Sequence, residues 1–182
     1  LKVLTQALNY KGAYVFLDGN KVLYDMKGNA VWYLPERTLE ATGRDVTDLK
    51  LTSAGTITFL AAQKGFEINY NGDVLWQTPP NRMDSQSIQR YCHHEFTRLA
   101  NGHYMVLGSE FRKVSVAGGN EGGRNNTQMR NTPFGTVIEY DKDGKIVWTW
   151  KSSEYFEKSD LIYYAGDKGD GMVNIHENAF FF

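Results

Sequence analysis

One cysteine, four prolines and almost no net charge are the scarcities of this 182-residue sequence, and each removes a class of protein. Cys92 stands alone, so no intrachain disulfide can form; that suits a reducing compartment and equally the many periplasmic proteins without disulfides. A formal net charge of -1 supplies no field to gather nucleic acid or anionic lipid, which argues against a nucleic-acid partner. No run of about 18 apolar residues is present, so no membrane-spanning helix is expected. The N-terminus, Leu1-Lys2-Val3-Leu4, carries neither an initiator Met nor a signal-peptide core, and the C-terminus stops on the apolar Ala179-Phe180-Phe181-Phe182. Both ends lead to the expectation of a segment from a longer chain.

What the sequence has in quantity is 18 Gly, 11 Tyr, 10 Phe and 4 Trp. Glycine supplies positive φ in tight turns and aromatic rings suit pleated, half-buried surfaces, so an all-β protein with many turns is expected. A repeat supports this. Tyr24-Asp25-Met26-Lys27-Gly28-Asn29-Ala30-Val31-Trp32, Ile68-Asn69-Tyr70-Asn71-Gly72-Asp73-Val74-Leu75-Trp76 and Tyr140-Asp141-Lys142-Asp143-Gly144-Lys145-Ile146-Val147-Trp148 align on a glycine and a tryptophan four residues later. Each runs from an apolar strand through an Asp/Asn-rich turn into a second strand.

The first two glycines lie 44 residues apart, the span of one four-stranded propeller blade. The fold expected is an all-β β-propeller of four-stranded antiparallel blades, about three blades plus the start of a fourth. The blades fall approximately at 10–50, 51–90 and 91–151, with a Gly/Asn-rich loop insertion over 112–133 and a further blade opening at 172–182. Short helices are expected near Glu36–Arg44 and Ser152–Leu161. Ordinary propellers close with about four to eight blades, so the missing C-terminal blades are an expected partner of this segment.

Chemistry-bearing residues are few. His93 and His94 are adjacent in Tyr91-Cys92-His93-His94-Glu95-Phe96, and His176 opens His176-Glu177-Asn178-Ala179. Both segments precede apolar strands at the position of a blade's innermost strand, which would bring them to one mouth of a central channel. Strand neighbours point to opposite faces, so His93 and His94 share a pocket only where the strand bends or begins. Such histidines equally serve to cap backbone groups or hold channel water. No Cys/His cluster has structural-zinc spacing, and no metal or cofactor site is expected. His103, just after a hairpin glycine, reads as a solvated turn residue. The repeat-locked Trp32, Trp76 and Trp148 read as inter-blade packing, and Asn125-Asn126-Thr127 as a chance sequon.

The block His93-His94-Glu95-Phe96-Thr97-Arg98-Leu99-Ala100-Asn101-Gly102-His103-Tyr104 resembles the "HHD…LPNGN" segment of the bacterial arylsulfate sulfotransferase family. Gly135 to Trp150 is similar to its "dGkvvW.W" segment, His176-Glu177-Asn178-Ala179 to its "HiNS" element, and Lys21 to Trp32 to its opening hairpin. The resemblance implies a six-bladed propeller, exported to the periplasm or cell surface. Such a protein moves a sulfuryl group from an aryl sulfate to a phenolic acceptor through a histidine intermediate, without a nucleotide cofactor. Carried over by position, His93, His94 and His176 would bind the sulfuryl oxygens or assist the leaving phenolate, with His94 the better single choice of the pair. Glu95 replaces the usual Asp, Ala100 replaces Pro, His103 stands for an Asn and Val173 for an Asp. The family's sulfate-binding arginine and nucleophilic histidine are expected in later blades. The alternatives are a non-catalytic propeller that binds a glycan, phenol or protein, and a subunit of a cell-envelope assembly with Gly118–Asn131 ordered against a protein partner.

Overall fold

Each of the three repeat turns closes by the same device. Asp25 Oδ1 accepts the amides of Lys27 and Asn29, both at 2.9 Å, and Asp141 Oδ1 accepts those of Asp143 and Lys145 at 3.0 and 2.8 Å. Asn69 Oδ1 does the same for Asp73 at 3.0 Å. Side chains that bond their own turn are why Asp and Asn recur there. The Asn29 side chain, then the backbone amides, hold the Asp25 carboxyl below its ordinary range; the Lys145 amide leads the same effect on Asp141. The strand register shifts beside each turn, a bulge that re-aims the exit strand.

The computed structural model describes residues 2–5, 8–80, 92–117, 127–156 and 177–180. Among these residues three antiparallel sheets follow one another in sequence. The first contains β1 (Tyr14–Leu17), β2 (Val22–Asp25) and β3 (Ala30–Tyr33) in that order. Helix α1 (Glu36–Thr42) leads to the second, with β4 (Thr47–Leu51), β5 (Ile57–Ala61), β6 (Lys64–Ile68) and β7 (Val74–Gln77). The third contains β8 (Phe96–Arg98), β9 (Tyr104–Ala117), β10 (Thr127–Tyr140) and β11 (Ile146–Lys151). The all-β expectation holds, as successive four-stranded, blade-like sheets preceded by a three-stranded one.

Three details differ from the expectations. Residues 47–51, counted with the first blade, pair with β5 and form the edge of the second sheet. The span 112–133 is not a loop at both flanks: β9 and β10 stay in register from Tyr140↔Tyr104 to Thr127↔Ala117. A hairpin lengthens by adding rungs, and Phe111 to Ala117 offers enough apolar and β-branched residues to do so; 118–126 lie outside the described residues. The second helix is a single 3₁₀ turn at Ser152–Glu154, and 157–161 lie outside the described residues.

The first two sheets are each fastened to the next by their signature tryptophan. Trp32 packs against the buried cluster of the second sheet, which includes Leu49, Ile57, Phe59 and Ile68, and its Nε1 donates to Tyr70 O at 2.9 Å. Trp76 lies on Tyr104 of the third sheet with ring centroids 3.7 Å apart, and beside Phe96 at 5.9 Å. Both tryptophans thus pack between successive sheets. Beneath Trp76, the buried Glu67 carboxylate accepts from the Tyr104 hydroxyl and lies 3.3 Å from Arg98 Nε. Burial, then the Glu67 contact, pushes the Tyr104 phenol up to about 12, so it stays a donor.

Candidate histidine cleft

The segment before β8 decides where the histidines go. Cys92 N–H donates to Gln63 O at 3.1 Å, which ties it to the turn of the second sheet. His93 N–H donates to Leu107 O at 3.1 Å, and Leu107 N–H to Glu95 O at 2.9 Å, so two bonds to β9 flank His94. His94 has φ +58, the left-handed region that a non-glycine residue enters at a cost of roughly 1–2 kcal/mol. That turn of the backbone is the bend required for neighbouring histidines to face one pocket. Their rings sit edge to face with centroids 5.2 Å apart.

Both histidines line one open cleft of about 500 Å³, together with Asp45, Thr47, the end of β5, the Ala62-Gln63 turn and Cys92. Ala62 and Gln63 have φ +47 and +61, the two-residue turn that normally calls for Asn-Gly. Five non-glycine residues among those described have clearly positive φ: Lys21, Asp48, Ala62, Gln63 and His94. Three of these five line the cleft. Stored backbone strain of this kind persists only where the surroundings over-determine it.

A chain of charged bonds runs from sheet to sheet beside the cleft. Asp18 accepts the Asp48 and Leu49 amides at 2.7 and 3.3 Å, and Asp48 Oδ2 in turn accepts the Phe96 amide at 2.7 Å. Lys50 lies 2.9 Å from Asp48, is paired with Glu95 and donates to Phe96 O at 3.1 Å. Burial pushes the Asp48 carboxyl up to about 6, against the lowering by Lys50 and the Phe96 amide. Glu95, the acid beside His94 in sequence, therefore spends its carboxylate on Lys50.

His93 Nε2 is 3.0 Å from Ser109 Oγ on β9. His176 lies outside the described residues, while the next residue, Glu177, places its carboxylate on Gly135 of β10. His103 corrects the solvated-turn expectation. Its Nδ1 is 2.7 Å from Glu139 Oε1 and its side chain is 31% exposed, because β10 brings Glu139 alongside the hairpin turn. Among the described residues no group of three or more His, Cys, Asp or Glu could hold a metal ion. No helix among them is long and apolar enough to cross a membrane.

Asp45, Thr47, Gln63 and Ser109 were not singled out from sequence. A signal for two of them was present. Asp45 and Thr47 stand ten and eight residues before the hairpin glycine Gly55, and Cys92 and His94 stand ten and eight before Gly102. The cleft is thus lined by the same repeat positions of two sheets.

Successive antiparallel, blade-like sheets place the chain among the all-β proteins. The family model described as Arylsulfotransferase (ASST) matches residues 12–178, and the chain belongs to that family. No curated protein matches it.

Proposed function

We propose that this chain contributes to an arylsulfotransferase that moves a sulfuryl group from an aryl sulfate to a phenolic acceptor, and that the cleft at His93 and His94 takes the donor. The observation that carries the reading is that both histidines of the family-like block enter a single open cleft, at the cost of left-handed backbone at His94. An aryl sulfate is a monoanion whose sulfuryl oxygens need donors, and whose phenolate gains charge as the S–O bond breaks. Imidazole N–H groups supply such donors near neutral pH, and a protonated one can pass its proton to the leaving phenolate. A histidine nucleophile forms an N–S bond as that S–O bond breaks. The acceptor phenol then takes the sulfuryl group and gives up its proton to a base. In this reading His93, His94 and His176 bind and protonate, and the nucleophile and a sulfate-binding arginine are supplied by other blades of the propeller. The three sheets are consecutive blades of a closed propeller in the periplasm or at the cell surface.

The test is turnover of a chromogenic aryl sulfate with phenol by the purified full-length parent protein. His94→Ala, His93→Ala and His176→Ala are each expected to lower kcat/KM roughly 100-fold, the scale of losing one transition-state donor. Full activity in all three variants would sink the site. Binding of phenols without turnover in the parent protein would favour the non-catalytic alternative.

A further inference from the structure

Ser109 and Gly135 are directly opposed on neighbouring strands β9 and β10. Opposed residues of an antiparallel rung present their side chains to the same sheet face, with Cβ atoms roughly 5 Å apart. On that face Ser109 Oγ meets His93 Nε2 at 3.0 Å. The space a Cβ of residue 135 would need is taken by the Glu177 carboxylate. Gly135 is buried, and Glu177 Oε2 is buried with no hydrogen-bond partner among the described residues, so this is a seat chosen by shape. The next residue along β9, Glu110, faces the other side, where it binds Ser153 and Arg112, the latter at 2.9 Å. One rung thus carries a partner of one candidate histidine and the docking point of the residue that follows another.

We propose that Ser109 and Gly135 are positioning residues of the histidine cleft. Ser109 orients the His93 imidazole, and the bare Cα of Gly135 seats Glu177, which holds the segment after His176 on the sheet face that His93 uses. The proposal rests on the sulfuryl-transfer reading only for its catalytic consequence; the seat itself is a matter of packing. Any side chain at 135 evicts the Glu177 carboxylate and shifts the segment that begins at Glu177 without touching substrate. Removing the Ser109 hydroxyl takes away the bond that holds the Nε2 edge of the imidazole.

The test is a double-mutant cycle in the purified protein. Gly135→Ala is expected to lower the melting temperature by about 4 °C or more, and to lose most of that cost in a Glu177→Gly background, where the clash is gone. Equal costs in the two backgrounds overturn the seat. Ser109→Ala is expected to lower kcat for the aryl sulfate roughly 10- to 100-fold with little change in KM, and Ser109→Thr to restore it. In parallel, the His93 imidazole resonances should move in Ser109→Ala and return in Ser109→Thr. Unmoved resonances overturn the Ser109 role. Absence of turnover in the parent protein would remove the sulfuryl-transfer reading alone, since the melting cycle and the resonances still decide the positioning.

Discussion

Asp48 sits where three sheets meet and combines left-handed backbone, a half-buried carboxylate and two cross-sheet bonds. Its carboxyl is raised from 3.8 to about 6 chiefly by burial, so the folded protein holds that proton more tightly than the unfolded chain does. The stability this provides is complete below about pH 4 and is lost as pH rises through about 6. The wild-type urea midpoint should therefore fall across that window. Asp48→Asn keeps an acceptor for the Phe96 amide, tolerates positive φ and has no proton to lose, so the variant should gain on wild type as pH rises from about 4 through about 6 and keep that gain above it. A parallel pH dependence in both proteins would refute the assignment. The position was not visible in sequence, because an Asp in Val46-Thr47-Asp48-Leu49 reads as an ordinary solvated strand residue. The histidine pair was visible, but their common pocket was not, since that depended on φ at His94.

At the level of elements, the repeat turn is both a local motif and a docking point. Gly72, at φ +86, has Pro35 Cγ 2.8 Å from where a Cβ would lie and the Thr38 hydroxyl closer still. Thr38 Oγ1 donates to Gly72 O at 2.8 Å, and Arg37 reaches Asp73 at 2.7 Å. Helix α1 is thereby pinned to the turn of the following sheet. Gly72→Ala incurs both left-handed strain and the helix clash, and is expected to cost about 2–4 kcal/mol in urea unfolding. A cost below about 1 kcal/mol would mean that α1 is not held there. The turn itself was fully legible as Asn-x-x-Gly, because its bonds close within five residues. The extended β9–β10 hairpin was not, because the Gly/Asn-rich stretch over 118–126 masks the strand-forming residues that flank it.

For the molecule as a whole, stability should be concentrated at the sheet-to-sheet contacts. Trp76→Ala removes a ring stacked on Tyr104 and Phe96 and is expected to cost about 3–5 kcal/mol. Trp148 holds the same repeat position but is 46% exposed, so Trp148→Ala should cost well under half as much by the same unfolding measurement. Equal losses would show that the tryptophans act within their own sheets instead of between them.

The Gly-x-x-x-Trp turns, the all-β class and the succession of sheets were determined by the sequence alone, since they depend on positive φ, side chains that bond their own turn, and alternation along strands. These forces act over a few residues, and the repeat reports them three times. The meeting of Asp45 and Thr47 with Cys92, His93 and His94, the diversion of Glu95 to Lys50, and the seat of Glu177 on Gly135 were decided only by the tertiary structure. Each joins residues more than forty positions apart, and their approach is set by how one sheet packs on the next, which no local pattern encodes.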